Sequence, residues 1–517
     1  MMSATILWVD DEIDLLKSHI LFLEGKGYQI VTANNGADAL DLLMESLFDI
    51  IFLDENMPGL SGLETLSRIK VARPNIPVVM ITKSEEEDIM NEAIGRSVCD
   101  YLIKPLNPNQ ILLSLKRNLD NKKLAEESTA QSYQREFRNI SNALSSRLSL
   151  SEWKELFRRL VYWDLELDRF HDHGMKEVIK MQKTEANLVF FSFIQDNYIK
   201  WLKGTSNDRP MLSHLVFREK CLPFIKSEGK VFLVLIDNLR YDQWKALQPI
   251  VEHYYRVVSE DMYCSILPTA TQFARNSFFA GLLPGEIEKR YPSLWINEAD
   301  EGTLNQHESE LLGEQLKRLG SSFKYHYHKI INLAAGRKLA ENLSNYTDSQ
   351  LNVVVYNFID ILSHARTELE MLKELTETEA AYRSLTASWF EHSPLHEIIR
   401  LLAQKGISLI ITTDHGSIRV NNPTKVVGEK NTNTNLRFKT GRNLNFAAKD
   451  VMEIKNPADA FLPKGNVSAN YLFAKGENFF AYPNNYNYYV NYYRNTFQHG
   501  GISLDEMLIP LVFLKPK

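Results

Sequence analysis

"KVFLVLIDNLRYDQW", residues 230–244, sets the architecture of the larger part of this chain. Val231 to Ile236 is an unbroken apolar run, and Asp237 stops it. A strand with one wet face alternates apolar and polar residues. An unbroken run instead marks a strand covered on both faces, as in a parallel sheet flanked by helices. The pattern recurs downstream: "VVVYNFID" (353–360) reads as a buried strand stopping at Asp360, and "SLIITTDHG" (408–416) as one stopping at Asp414 and His415. The closing "FQHGGISLDEMLIPLVFL" (497–514) sets His499 and two glycines ahead of another apolar run. Sites in such sheets form beyond the carboxyl ends of strands, so Asp237, Asp360 and Asp414 are expected along one edge. A helix starting at or near Asp360 puts His364 one turn on, facing the same way.

With His415, His499 and one hydroxyl, these residues divide into two coordination sets. One has two carboxylates, an imidazole and the hydroxyl; the other has a carboxylate and two imidazoles. Mixed Asp/His ligation suits Zn²⁺ better than Mg²⁺, and two such ions about 4 Å apart clamp the attacking and leaving oxygens of a phosphoryl transfer. The hydroxyl is expected in "CSILPTATQFARNSFFAGLLPGE" (264–286). Thr271 opens a helical pattern there, and free N–H groups at a helix start favour bound phosphate. Thr269 is the alternative. Arg275, one turn along, either reaches a substrate phosphate or braces the helix.

The same βα rhythm fills the amino-terminal third. "TILWVDDE" (5–12), "QIVTA" (29–33), "FDIIFLDENMPGLSG" (48–62), "IPVVMITKS" (76–84) and "CDYLIKPLN" (99–107) read as strands, with helical patterns between them. Asp10, Asp11, Asp54, Thr82 and Lys104 then converge on one edge. Three clustered carboxylates call for a divalent cation, and oxygen ligands with waters suit Mg²⁺. Lys104 and Thr82 are the groups needed to hold oxygens of a phosphoryl group on Asp54. Between the two α/β parts, residues 121–205 lack strand signals and space their apolar residues at three and four, as amphipathic helices do. The expected division is 1–120, 121–205 and 206–517.

The totals bound the function. A chain of 517 residues exceeds a single core. Its net charge of −6 supplies no overall attraction to nucleic acid or acidic membrane. Three cysteines far apart imply no disulfide framework. No signal peptide and no run long enough to span a bilayer is evident, so a reduced, cytoplasmic protein without direct membrane insertion is expected.

Residues 4–120, through "DD", "LDENMPG", "MIT" and "YLIKP", resemble the receiver domains of bacterial response regulators. That resemblance implies a flavodoxin-like fold and phosphorylation of Asp54 by a cognate histidine kinase. It further implies one Mg²⁺ held by Asp10, Asp11, Asp54 and the Asn56 carbonyl, with Thr82 and Tyr101 as switch residues. Residues from about 225 to 515 resemble the alkaline phosphatase superfamily, which includes nucleotide phosphodiesterases and the PglZ domains. The motif order carries this: strand-Asp, the Thr271 helix, D-x-x-x-H, D-H-G, H-G-G. The resemblance implies that Asp237, Thr271, Asp414 and His415 hold one Zn²⁺, and Asp360, His364 and His499 the other. A receiver, a helical-bundle connector and an alkaline-phosphatase-like α/β domain together resemble the PorX-type response regulators associated with type IX secretion in Bacteroidetes.

The expected function is a phosphorylation-controlled, zinc-dependent phosphodiesterase with Thr271 as nucleophile, acting on a nucleotide or oligonucleotide diester, with phosphorylation promoting a homodimer. The alternative is a signalling adaptor that binds metal structurally and meets secretion machinery or a sigma factor. A DNA-binding output finds no basic recognition helix. His392 and His396 lack the glutamate of a metalloprotease helix and read as surface or packing positions; His171/His173 and His326/His328 have no partner carboxylate pattern and read as ordinary polar positions. Residues 417–449, with seven Lys/Arg against one Glu, read as a solvated loop or as a loop covering substrate. The tyrosine-dense "AYPNNYNYYVNYYRNTF" (481–497) reads as alternating strand packing in preference to base stacking.

Overall fold

The computed structural model describes residues 4–73, 76–83, 98–169, 173–206, 208–297, 304–368, 376, 378–429, 432–463 and 470–517. The side chains of 120–128, 173 and 364–368 lie outside that description. The chain divides into two compact units, the first reaching Glu136 and the second comprising Phe137–Asp168 and the chain from residue 172 onward.

In the first unit, β1 (Thr5–Val9), β2 (Gln29–Ala33), β3 (Ile50–Asp54), β4 (Val78–Thr82) and β5 (Asp100–Ile103) form a parallel sheet in the order β2-β1-β3-β4-β5. The alternation of side chains along a strand explains the unbroken apolar runs. Leu7, Val9, Ile51, Leu53, Val78 and Met80 feed one core, while Ile6, Trp8, Ile50, Phe52, Val79 and Ile81 feed the other. Helices α1 (Lys17–Glu24), α2 (Gly36–Glu45) and α3 (Gly62–Ala72) connect the strands. A capping box between Ser61 and Glu64 starts α3. Gly62 cannot carry a side chain, because a Cβ there would lie 2.2 Å from the Asp54 carbonyl oxygen.

Three long helices follow: α4 (Pro108–Leu144), α5 (Leu150–Asp168) and α6 (His173–Leu202). Trp153 of α5 meets Phe190 of α6 edge-on, with ring centroids 5.2 Å apart. Beyond them, β6 (Val231–Ile236), β7 (Tyr255–Cys264), β8 (Tyr325–Ile330), β9 (Leu351–Tyr356) and β10 (Ser408–Thr412) join the last strand in a six-stranded sheet. An insertion lies between β10 and that last strand. It contains β11 (Ile418–Arg419), β12 (Asn422–Lys425), β13 (Phe438–Gly441), β14 (Val451–Ile454), β15 (Asn470–Ala474), β16 (Asn478–Ala481) and β17 (Phe497–Gln498). The main sheet runs β7-β18-β10-β6-β9-β8, with β18 (Leu508–Pro516) antiparallel to β10 and β7 and the other pairs parallel. Helices α7 (Tyr241–Glu252), α8 (Thr271–Ala280), α9 (Phe358–Glu368), α10 (Glu379–Glu391) and α11 (Tyr486–Tyr493) belong to the same unit.

Three expectations need correction. Asp360 does not stop a strand: β9 ends at Tyr356, and Asp360 lies in the first turn of α9. Residues 417–449 are not a plain loop, since β11, β12 and β13 pair with β17, β16 and β15. The tyrosine stretch is helical over 486–493, so alternating strand packing does not apply there. Alternation suggested a strand only because tyrosine favours sheets as a type. Its i, i+4 repeats are what the helix uses.

Candidate metal and phosphoryl sites

In the first unit, neighbouring parallel strands deliver the acids to one edge. Asp10 follows β1, Asp54 ends β3, and both are buried, while Asp11 is exposed. Ligand atoms of Asp10, Asp11 and Asp54 lie within 4.8 Å of one another. Lys104, just past β5, sets Nζ 2.9 Å from Asp10 Oδ2 and 2.8 Å from Asp54 Oδ1. Burial raises the Asp54 carboxyl, with the Lys104 hydrogen bond opposing and Asp10 adding. Thr82 is buried at the end of β4, Tyr101 packs partly buried against the core, and Asn56 is exposed just beyond β3. Three carboxylates against one ammonium fit a divalent cation, and an ammonium beside the acceptor carboxylate fits an added phosphoryl group.

In the second unit, β6, β9 and β10 are adjacent, so the segments leaving them meet. Asp237, Asp414 and His415 are fully buried and offer ligand atoms within 4.8 Å of one another. His415 Nε2 lies 3.8 Å from Asp237 Oδ1, 3.8 Å from Asp414 Oδ2 and 3.2 Å from Thr271 Oγ1. The second group stands beside it: His499 Nε2 is 3.6 Å from Asp360 Oδ1, and the His415 and His499 rings stack at 4.3 Å. Of His364 only the backbone is described, one helical turn beyond Asp360 in α9.

Both imidazoles are fixed by the nitrogen facing away. His415 Nδ1 pairs with the Gly416 carbonyl at 3.1 Å, and His499 Nδ1 with the Thr269 carbonyl at 3.2 Å. A carbonyl accepts only from N–H, which leaves each Nε2 lone pair directed at the carboxylates, the tautomer of a metal ligand. Asp237 Oδ1 is buried without a hydrogen-bond partner among the described residues, and an orphaned carboxylate oxygen beside an imidazole nitrogen suits a cation. Burial lifts the Asp237 carboxyl well above the usual range, Arg275 opposing and Asp414 adding. Burial also works against ionised Asp414, yet the Arg275 guanidinium brings its pKa to about 2.

The two threonines differ. Thr271 is the first residue of α8. Thr269 is fully buried and committed to the loop: its hydroxyl donates to the Gly501 carbonyl and accepts from Gly500 N–H, each at 3.0 Å. Arg275 is also committed. It is completely buried, pairs with Asp237, and sets Nε 2.9 Å from Asp414 Oδ2 and Nη1 3.3 Å from Glu308 Oε1. Of its two sequence-level roles, the geometry favours the brace over the approach to a phosphate.

Residues that the sequence did not single out hold these loops. Asn238 turns the chain after β6 with φ +63°, a conformation Asn tolerates better than most residues. Its Nδ2 reaches Asp360 Oδ1 at 3.4 Å and its backbone N–H reaches Asp414 Oδ1 at 3.4 Å. The D-N pair in "IDNLR" was the available signal. Arg437 and Glu506, both fully buried, pair at 2.6 Å, and Glu506 accepts from Gly501 N–H at 2.8 Å. The long helices tie in as well: Asn187 of α6 accepts from Leu504 N–H at 2.8 Å, and Lys183 lies 2.9 Å from Glu379. His392 and His396 cap nearby backbone carbonyls.

This geometry gathers three acids and a lysine at one sheet edge in the first unit, and buried carboxylates with two imidazoles beyond the strand ends in the second. Residues 216–514 match the family described as the BREX system PglZ alkaline phosphatase-like domain, and the chain belongs to that family. Residues 6–116 match the response regulator receiver domain, and residues 123–202 match the PorX response regulator linker domain. Receiver, linker and PglZ in that order make this a response regulator of PorX-type architecture.

Individual relatives match the receiver region. The transcriptional regulatory protein ZraR of Klebsiella oxytoca is 34% identical over 146 residues, covering 28% of this chain and 33% of the relative. The alginate biosynthesis transcriptional regulatory protein AlgB of Pseudomonas putida is 36% identical over 120 residues, covering 23% and 27%. The chain thus spans a third or less of the length of these curated relatives. The solved chemotaxis protein CheY4 of Vibrio cholerae is 30% identical, covering 23% of this chain and 99% of that one at a TM-score of 0.22. Among the described residues, no helix is long and apolar enough to cross a membrane.

Proposed function

We propose that this response regulator is phosphorylated on Asp54 by a cognate histidine kinase and that its output is zinc-dependent phosphodiester hydrolysis. The observation carrying the reading is the approach of Thr271 Oγ1 to His415 Nε2 at 3.2 Å beside two buried carboxylates. Asp237, Thr271, Asp414 and His415 would hold one Zn²⁺, and Asp360, His364 and His499 a second. Bound zinc supplies the positive charge that acidifies a hydroxyl and neutralises phosphoryl oxygens. Thr271 Oγ attacks phosphorus in line, the bond to the leaving alcohol breaks, and a phosphothreonine forms. Water then displaces the threonine oxygen. Backbone N–H groups of the first turn of α8 suit the phosphoryl oxygens. In the receiver, Asp10, Asp11, Asp54 and the Asn56 carbonyl would hold Mg²⁺, Lys104 and Thr82 the phosphoryl oxygens, and Tyr101 would switch with them.

The substrate class is a nucleotide or oligonucleotide diester, and the setting that a resemblance to PorX-type regulators implies is type IX secretion; the linker match supports the resemblance. One experiment tests the output: metal analysis of the purified chain with a panel of phosphodiesters and phosphomonoesters. Two zinc ions and diester cleavage are expected. Absence of turnover on every diester by the zinc-loaded chain overturns the reading.

One observation favours an adaptor in place of an enzyme. Arg275 pairs with Asp237 and Asp414 at once, so the loops are held without a cation. An adaptor meeting secretion machinery or a sigma factor would need Asp237 and Asp414 for folding, as partners of Arg275 or of a structural metal, and would not need the Thr271 hydroxyl.

A further inference from the structure

Helix α11 places five tyrosines in eight residues. Val490 is buried, and Tyr486 and Tyr493 rest with Tyr482 on a core of Ile418, Val420, Leu436 and Phe479. The remaining face is aromatic where a surface helix is ordinarily polar. Tyr488 is 61% exposed. Tyr488 and Tyr492 stack at 5.9 Å and 15°, and Tyr489 and Tyr493 at 6.1 Å and 13°. The i, i+4 spacing thus builds two parallel ring pairs along one helix.

The chain around α11 is cationic. Residues 415–504 carry eleven Lys/Arg against five Asp/Glu, in a chain of net charge −6. Arg437 is committed to Glu506, and Lys439 lies over the Tyr482 ring at 5.1 Å. Arg419 on β11 has a buried Nε without a hydrogen-bond partner among the described residues.

A short ribbon links this face to the metal centre. β11 begins three residues after His415 and pairs antiparallel with β17, Arg419 opposite Phe497. β17 leads from α11 directly into His499. Tyr493 and His499 are six residues apart, at most about 22 Å of extended chain.

We infer that the tyrosine face of α11, with Arg419, is a stacking platform for the bases of a single-stranded oligonucleotide whose diester lies at the metal centre. The inference rests on the phosphodiesterase reading above. Exposed aromatic faces beside cations that follow a phosphate backbone are how single strands are bound without sequence preference. The excess of cations over carboxylates distinguishes this region from one built for a basic peptide.

The test is equilibrium binding of a fluorescein-labelled oligothymidylate of about ten nucleotides to the full chain carrying Thr271→Val, which leaves the probe intact. Tyr488→Ala with Tyr492→Ala is expected to weaken binding roughly tenfold or more, and the paired Tyr→Phe changes to retain it. Arg419→Gln is expected to lower the slope of log affinity against log salt by about 0.7; this arm stands even if the tyrosine variants fail to fold. Unchanged affinity in the alanine variant, an unchanged slope, or no binding by the parent each overturns the platform. So does altered sedimentation of the alanine variant with affinity intact, which would mark the face as a protein interface. Cleavage of bis(p-nitrophenyl) phosphate by the zinc-loaded wild type separates the two failures: it preserves the enzyme when the platform is lost.

Discussion

His499 Nδ1 meets the carbonyl oxygen of Thr269 at 3.2 Å, so the loop before α8 orients an imidazole of the proposed second metal set. Thr269 therefore serves through its backbone and its buried hydroxyl, while Thr271, two residues on, keeps its hydroxyl beside His415. Thr271→Val is expected to leave zinc content and melting temperature near wild type while lowering diester turnover at least about 10³-fold. Thr269→Val strands the Gly500 N–H and should cost about 1–3 kcal/mol of stability. Full activity in Thr271→Val removes it from the mechanism.

His364 and His499 are assigned to one ion with Asp360. His364→Ala is expected to halve the zinc content by elemental analysis while circular dichroism stays unchanged. Retention of both ions would show the assignment to be wrong.

Arg275 holds Asp237, Asp414 and Glu308 in a fully buried cluster. Replacing one partner of a buried ion pair leaves the others uncompensated, at about 3–5 kcal/mol. Arg275→Met is expected to destabilise the metal-free protein by that order, and added zinc to recover part of the loss because it supplies the missing positive charge. Denaturant unfolding with and without EDTA measures both. A loss identical in the two conditions would separate Arg275 from the metal centre.

Acid should destabilise the second unit as the unfolded chain protonates histidines that the fold keeps neutral. Burial lowers His214 to about 3, with Arg209 and Arg218 adding, and burial with His326 lowers His328 to about 4. The folded pKa values lie below the unfolded ones, so the unfolded chain takes up these protons first. Their contribution is complete above about pH 6.5 and falls as pH drops toward 4 and then 3. Urea unfolding across that window should show stability declining with acid. His214→Asn is expected to flatten the slope by up to about 1.4 kcal/mol per pH unit. An unchanged slope would show that His214 is protonated in the folded chain.

Lys104 bridges Asp10 and Asp54 at 2.9 and 2.8 Å, where an added phosphoryl group would draw its ammonium. Sedimentation of the wild type with a phosphoryl mimic is expected to show a dimer, and Lys104→Met to remain monomeric under the same conditions. Equal mass for the wild type with and without the mimic counts against phosphorylation-driven dimerisation.

The sequence alone determined the buried strands of the two sheets and the strand ends that carry Asp54, Asp237 and Asp414, because local apolar runs report burial on both faces; it did not show that the last strand runs antiparallel. It also placed Asp237, Thr271, Asp414, His415 and His499 by motif order. Tertiary structure alone decided what those residues face. Arg275 reads in sequence either as meeting a phosphate or as bracing its helix, and packing turns it onto two carboxylates brought from β6 and β10. Asn238, Arg437 and Glu506 carry no motif, since their partners lie far along the chain. The tyrosines of 486–493 show the limit most plainly. Composition favoured a strand, and only packing around Val490 fixed a helix that turns Tyr488 outward and leaves Tyr489 and Tyr492 half-buried.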